Sequence, residues 1–122
     1  MNKPAKNFQD LVVWQKAHNL VLEIHKTTVG FPKEETYGLT SQLRRAAVSV
    51  PTNIVEGSTK RGRVEFGRYL DVSLGSMAEL GYLLRFARDV GLLDAEEWAE
   101  LQDLWLESRG MLWLLYRSVR RG

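Results

Sequence analysis

Cysteine is absent from the 122 residues. That excludes a disulfide framework and thiolate zinc sites, and it fits a reducing compartment. Long apolar runs are also missing, since none approaches the ~20 residues that span a bilayer. The first residues, MNKPAKNFQDLVVWQ, lack the continuous apolar core of a signal peptide. A cytoplasmic chain with no membrane partner is the expectation. Histidine is scarce: His18 and His25 are the only two, seven apart. That is ~10 Å along a helix, too far to chelate one ion directly. Di-iron carboxylate bundles need Glu three residues before each His, but Gln15 and Leu22 stand there. The pattern predicts no metal and no cofactor.

Signatures of catalysis are missing too. Gly57, Gly62, Gly67, Gly75 and Gly81 are scattered and match neither the dinucleotide-binding nor the phosphate-loop glycine pattern. No Gly-x-Ser-x-Gly elbow occurs. Glu56, Glu65, Asp71 and Glu79 fall on helical segments, where acidic groups are usually solvated or paired with arginine. The expectation is a protein that is not an enzyme.

What is present is helical periodicity. Hydrophobic and charged fractions of 44% and 26% are those of an ordinary globular chain, and the length suits one domain over residues 1–122. Four segments are predicted, at about 10–28, 38–57, 63–90 and 94–119. In the first, Trp14, Ala17, Val21, Ile24 and Thr28 recur at alternating three and four, with Asn7 or Asp10 as N-cap. In the second the stripe is Leu39, Leu43, Ala46, Val50, Ile54 and Gly57, with Gly57 read as the C-terminal cap residue. The third carries a heptad-like seam of Phe66, Leu70, Ser73, Met77, Leu80, Leu84 and Ala87. The fourth opens on Asp94 and Glu97, a capping box, with Leu93 and Trp98 placed as a hydrophobic staple. Its seam is Trp98, Leu101, Trp105, Ser108, Leu112, Leu115 and Val119. No segment alternates with period two, and the connections are short. An all-α, antiparallel up-down-up-down four-helix bundle follows.

Two segments hold more apolar surface than one bundle needs. Segment two spreads apolar residues, Val48 and Val55 among them, over nearly half its circumference. In segment four, Leu106 and Trp113 point away from the seam, flanked by Arg109 and Arg117. Such tryptophan–arginine surfaces are typical of interfaces. The expectation is a homo-oligomer in which Val48, Val55, Leu106 and Trp113 meet another copy.

Net charge is only +2, so any nucleic-acid reading rests on local patches. Basic residues cluster at Arg44-Arg45, at Lys60-Arg61 with Arg63, and at Arg117 with Arg120-Arg121. Lys60, Arg61 and Arg63 lie at the predicted turn between segments two and three, where long side chains reach a phosphate backbone. Tyr69, Tyr82 and Phe86 are candidate stacking surfaces. Arg44, Arg45, Lys60, Arg61 and Arg63 are therefore the candidate residues for RNA or DNA. A protein-interaction scaffold built on Trp113 is the alternative.

The stretch QLRRAAVSVPTNIVEG, residues 42–57, places Pro51 inside an otherwise helical pattern. Proline lacks a backbone donor and disfavours helical geometry at Val50. A kink or break between Ala47 and Pro51 is predicted, with Ser49 or Asn53 re-satisfying the local backbone. Asn53 and Glu56 are read as structural polar residues on the strip that borders the apolar arc.

One further pattern spans most of the chain. Asp10-Leu11 with Trp14-Gln15-Lys16-Ala17 is followed by Phe31-Pro32, Glu34, Tyr37-Gly38-Leu39-Thr40-Ser41-Gln42 and Arg44-Arg45-Ala46. Then come Asn53, Glu56-Gly57, Gly75-Ser76 and Glu79-Leu80. In order and spacing this resembles the bacterial four-helix bundle family of proteins encoded in intervening sequences of 23S ribosomal RNA genes. The resemblance covers roughly residues 8–93. It implies a four-helix bundle assembled as a ring, most simply a homopentamer. It also suggests kinship with the accessory protein of diversity-generating retroelements, a basic pentameric bundle that binds nucleic acid and a reverse transcriptase. It implies no known reaction.

Overall fold

The computed structural model describes residues 11–121. Four helices form: α1 (Val12–Val29), α2 (Leu39–Ser58), α3 (Arg63–Asp89) and α4 (Ala95–Arg121), with a short 3-10 turn at Lys33–Glu35. Each helix packs on the next, and α4 closes back on α1. α1 and α3 are therefore one diagonal of the bundle, and α2 and α4 are the other. The N-terminus of α3 and the C-termini of α2 and α4 share one end.

The predicted stripes point inward. On α2 all six stripe residues are buried, and Thr40, Ala47 and Pro51 join them. On α1 the buried line is Val13, Ala17, Leu20, Ile24 and Thr28, while Trp14 and Val21 are half-buried. The face is thus rotated slightly from the predicted one, towards Leu20. The capping box at α4 forms as read: Asp94 N–H donates to Glu97 Oε1 (3.0 Å) and Glu97 N–H to Asp94 Oδ1 (2.7 Å). Leu93 is buried beside it. The proposed Asn7 and Asp10 caps lie outside the described residues.

Two expectations for α2 need correction. Of the predicted kink or break between Ala47 and Pro51, the break does not occur, because α2 runs as one helix through Pro51. Side chains bond the three carbonyls that immediately precede the proline. Thr52 Oγ1 donates to Val48 O (2.7 Å), Asn53 Nδ2 to Ser49 O (2.8 Å), and Ser73 Oγ of α3 to Val50 O (2.8 Å). Burial of the proline ring in the core adds to this hold. Gly57, in turn, is not the cap, since α2 continues to Ser58 and Thr59 takes that place. Its role is close approach: a Cβ there would sit 2.8 Å from Tyr69 Cβ and 2.9 Å from Phe66 Cδ1. Only glycine lets α3 come this near without rearrangement.

A polar string ties α2 to α3 beside Pro51. Asn53 Nδ2 also reaches Ser49 Oγ (3.1 Å), and Ser49 Oγ bonds Ser76 Oγ (2.7 Å). Glu56 is exposed. Across the neighbouring α3–α4 contact, Trp105 Nε1 donates to Met77 O (2.8 Å), its indole lying against Gly81.

Candidate nucleic-acid interface

Antiparallel register decides which basic clusters meet. Gly67 of α3 lies opposite Val119 and Arg120 of α4, its notional Cβ 3.9 Å from atoms of both. Arg63 and Arg68 on the first turns of α3 therefore face Arg120 on the last turn of α4 across one cavity of about 460 Å³. The sequence clusters Lys60-Arg61-Arg63 and Arg117-Arg120-Arg121 thus converge at one end of the bundle.

Electrostatics at this end are unusual for a helix start. Acidic residues are favoured in a first turn, and α3 has one, Glu65, but it begins at Arg63 directly after Lys60-Arg61-Gly62. Gly62, at φ 87°, provides no side-chain cap. α4 shows the favourable arrangement in the same chain, with Glu96 and Glu97 in its first turn and Arg120 and Arg121 in its last.

Aromatic rings interleave with these cations. Lys60 Nζ stands 5.3 Å from the centre of the Tyr69 ring. Arg120 lies over Tyr116 at 5.7 Å and donates from Nη1 to its hydroxyl (2.9 Å). That hydrogen bond, with a further contribution from Asp71, holds the Arg120 guanidinium above its ordinary pKa. Trp113 stacks on Tyr116, ring centres 5.7 Å apart.

The other candidate residues lie elsewhere. Arg44 is half-buried and turned onto the end of α1, where Nε donates to Thr28 Oγ1 (2.9 Å) and Nη2 to His25 O (3.3 Å). It caps the negative end of the α1 dipole. Arg45 is exposed, and both arginines sit some 22–24 Å along α2 from Lys60. Tyr82 and Phe86 touch each other at 6.5 Å on the far half of α3. Tyr116 and the Arg63–Arg120 convergence were missed by sequence reasoning. The only local signal was the Tyr116-Arg120 spacing of four on one helix face.

The apolar interface candidates are largely open to solvent: Val48 is 49% exposed, Leu106 53% and Trp113 45%, while Val55 is half-buried. No group of three or more His, Asp or Glu that could hold a metal ion occurs among the described residues. None of the described helices is long and apolar enough to cross a membrane.

These features define a four-helix, all-α chain with one basic, aromatic-lined end. It belongs to the 23S rRNA-intervening sequence protein family, whose model matches residues 9–113. Its fold is similar to the crystal structure of a protein of unknown function from the S23 ribosomal protein family of Bacteroides thetaiotaomicron VPI-5482. That similarity has a TM-score of 0.78 at 20% identity, covering 87% of this chain and 96% of the other. No curated protein matches the chain.

Proposed function

We propose that the protein is a non-enzymatic nucleic-acid-binding bundle whose basic end contacts the phosphate backbone of RNA or DNA. The observation that carries this reading is the convergence of Arg63 and Arg68 with Arg120 around one cavity. Lys60 and Arg61 lie on the adjoining turn, and Tyr69 and Tyr116 offer rings beside the cations. Cations that track a strand and rings that stack on bases are what sequence-tolerant single-strand binding requires. Arg44 is left out of the surface because its guanidinium is engaged with α1. Arg61→Glu combined with Arg63→Glu is expected to weaken binding of single-stranded RNA and DNA and to flatten its salt dependence. Circular dichroism should be unchanged, because both side chains are exposed. Wild-type affinity in that variant would remove the α2–α3 turn from the site.

The same reading includes self-association. Val48 and Val55 lie on α2 and Leu106 and Trp113 on α4, which are diagonal helices. Two unlike apolar strips on opposite sides favour head-to-tail contacts, and these close into rings when the rotation permits. Five copies is the number that the family resemblance suggests. Repetition multiplies weak phosphate contacts without new chemistry. Light scattering that found a monomer at micromolar concentration would overturn this part. The exposed Leu106, Trp113 and Leu114 also favour a second reading, a scaffold for another protein. A pull-down that survives nuclease but is lost in Trp113→Ala would select it.

A further inference from the structure

The basic end holds a pocket as well as a surface, and its donors suit a more specific ligand than a continuous strand. We propose that this pocket binds the phosphate monoester at the end of a nucleic-acid strand. The proposal rests on the nucleic-acid reading above and narrows it.

Three guanidiniums, Arg63 and Arg68 from α3 and Arg120 from α4, line the cavity against one carboxylate, Asp71. Arg68 is only loosely engaged: its contact to Glu65 is 3.7 Å, between side chains 75% and 50% exposed. Tyr116 accepts the hydrogen bond from Arg120, so its own phenolic hydrogen is left to donate outward. The pocket thus offers several charged donors and one neutral donor to a single ligand.

A phosphodiester linkage presents two non-bridging oxygens and one negative charge. A monoester presents three strong acceptor oxygens and a charge of about −1.5 to −2. Guanidinium forks pair with such oxygens two at a time, and charge-assisted bonds of this kind are the strong ones. Three forks and a phenol match the oxygens and charge of the monoester better than those of the diester. The size agrees as well: about 460 Å³ lies within the roughly 300–1,000 Å³ of small-ligand sites, leaving room for the terminal sugar. The α4 side of the pocket, Tyr116 and Arg120, lies beyond residues 9–113, the span that the family model matches.

The test compares one short, internally labelled single-stranded RNA in three forms, by fluorescence anisotropy at fixed salt. The forms carry a 5′-phosphate, a 3′-phosphate, or hydroxyls at both ends. One phosphorylated form should bind at least about tenfold tighter than the hydroxyl form, as one or two charge-assisted hydrogen bonds give. Which form gains identifies the strand end. Arg120→Ala should abolish the preference. Arg85→Ala, on the opposite half of α3, should keep it. Thermal melts confirm that both variants are folded. Equal, tight binding of all three forms, or a preference that survives Arg120→Ala, overturns the pocket and leaves the nucleic-acid reading standing. Failure of all three forms to bind removes that reading and this inference together.

Discussion

Gly75 and Gly81 lie six residues apart on α3, and replacing each by alanine should change stability with opposite sign. Both substitutions gain helix propensity worth about 1 kcal/mol, because glycine loses more backbone freedom on folding. At Gly75 nothing lies within 4 Å of the added Cβ, so the gain should appear in full. At Gly81 the Cβ would meet Trp105 Cζ2 at 2.6 Å, Cε2 at 2.9 Å and Nε1 at 3.2 Å. The indole must move, which strains the α3–α4 contact by roughly 1–3 kcal/mol. It also gives up the 2.8 Å bond to Met77 O, worth about 1 kcal/mol. Set against the propensity gain, Gly81→Ala should lose about 2 kcal/mol net. The two variants should therefore differ by about 3 kcal/mol, on the order of 10 °C in melting temperature for a chain of this size. Urea titration followed by tryptophan fluorescence, at one protein concentration, measures the difference directly. If Gly81→Ala proved as stabilising as Gly75→Ala, the indole would not be pinned across α3 and the α3–α4 packing described here would be wrong.

Three further outcomes follow from the polar contacts. Ser108 Oγ is buried without a partner, so Ser108→Ala should be neutral or stabilising by up to about 1 kcal/mol, whereas Ser73→Ala, which loses the 2.8 Å bond to Val50 O, should cost about 1 kcal/mol; paired urea curves check both. Asp94→Ala removes the N-cap of α4 and should cost about 1 kcal/mol, read as a lower melting temperature. Arg44→Ala should destabilise by about 1 kcal/mol through loss of its bonds to Thr28 and His25, and the neighbouring exposed Arg45→Ala should leave stability within about 0.5 kcal/mol of wild type.

The helices were legible in the sequence because their information is local. Spacings of three and four mark the seams of α2, α3 and α4, and Asp94 with Glu97 marks the start of α4 within a single turn. Interactions between helices were not legible. Pro51 reads as a breaker from its neighbours alone, and one of the groups that braces this turn, Ser73, stands on another helix, 23 residues from its acceptor Val50. Gly57 reads as a cap until Tyr69 and Phe66 are placed against it. The three basic clusters are plain in the sequence as separate runs. Only the antiparallel register, with Gly67 opposite Arg120, brings two of them to one cavity and leaves Arg44 at the end of α1.

The convergence of those two clusters on nucleic-acid phosphates is the central claim, and the salt dependence of single-stranded RNA binding tests it most directly. Each phosphate contact contributes a slope of about −0.7 to a plot of log affinity against log salt for single strands. The triple variant Arg61→Ala, Arg63→Ala, Arg120→Ala should therefore bind more weakly, with a slope less negative by about 2. An unchanged slope would contradict the account. So would an equal loss in the control triple Arg85→Ala, Arg88→Ala, Arg109→Ala, whose arginines lie away from the basic end.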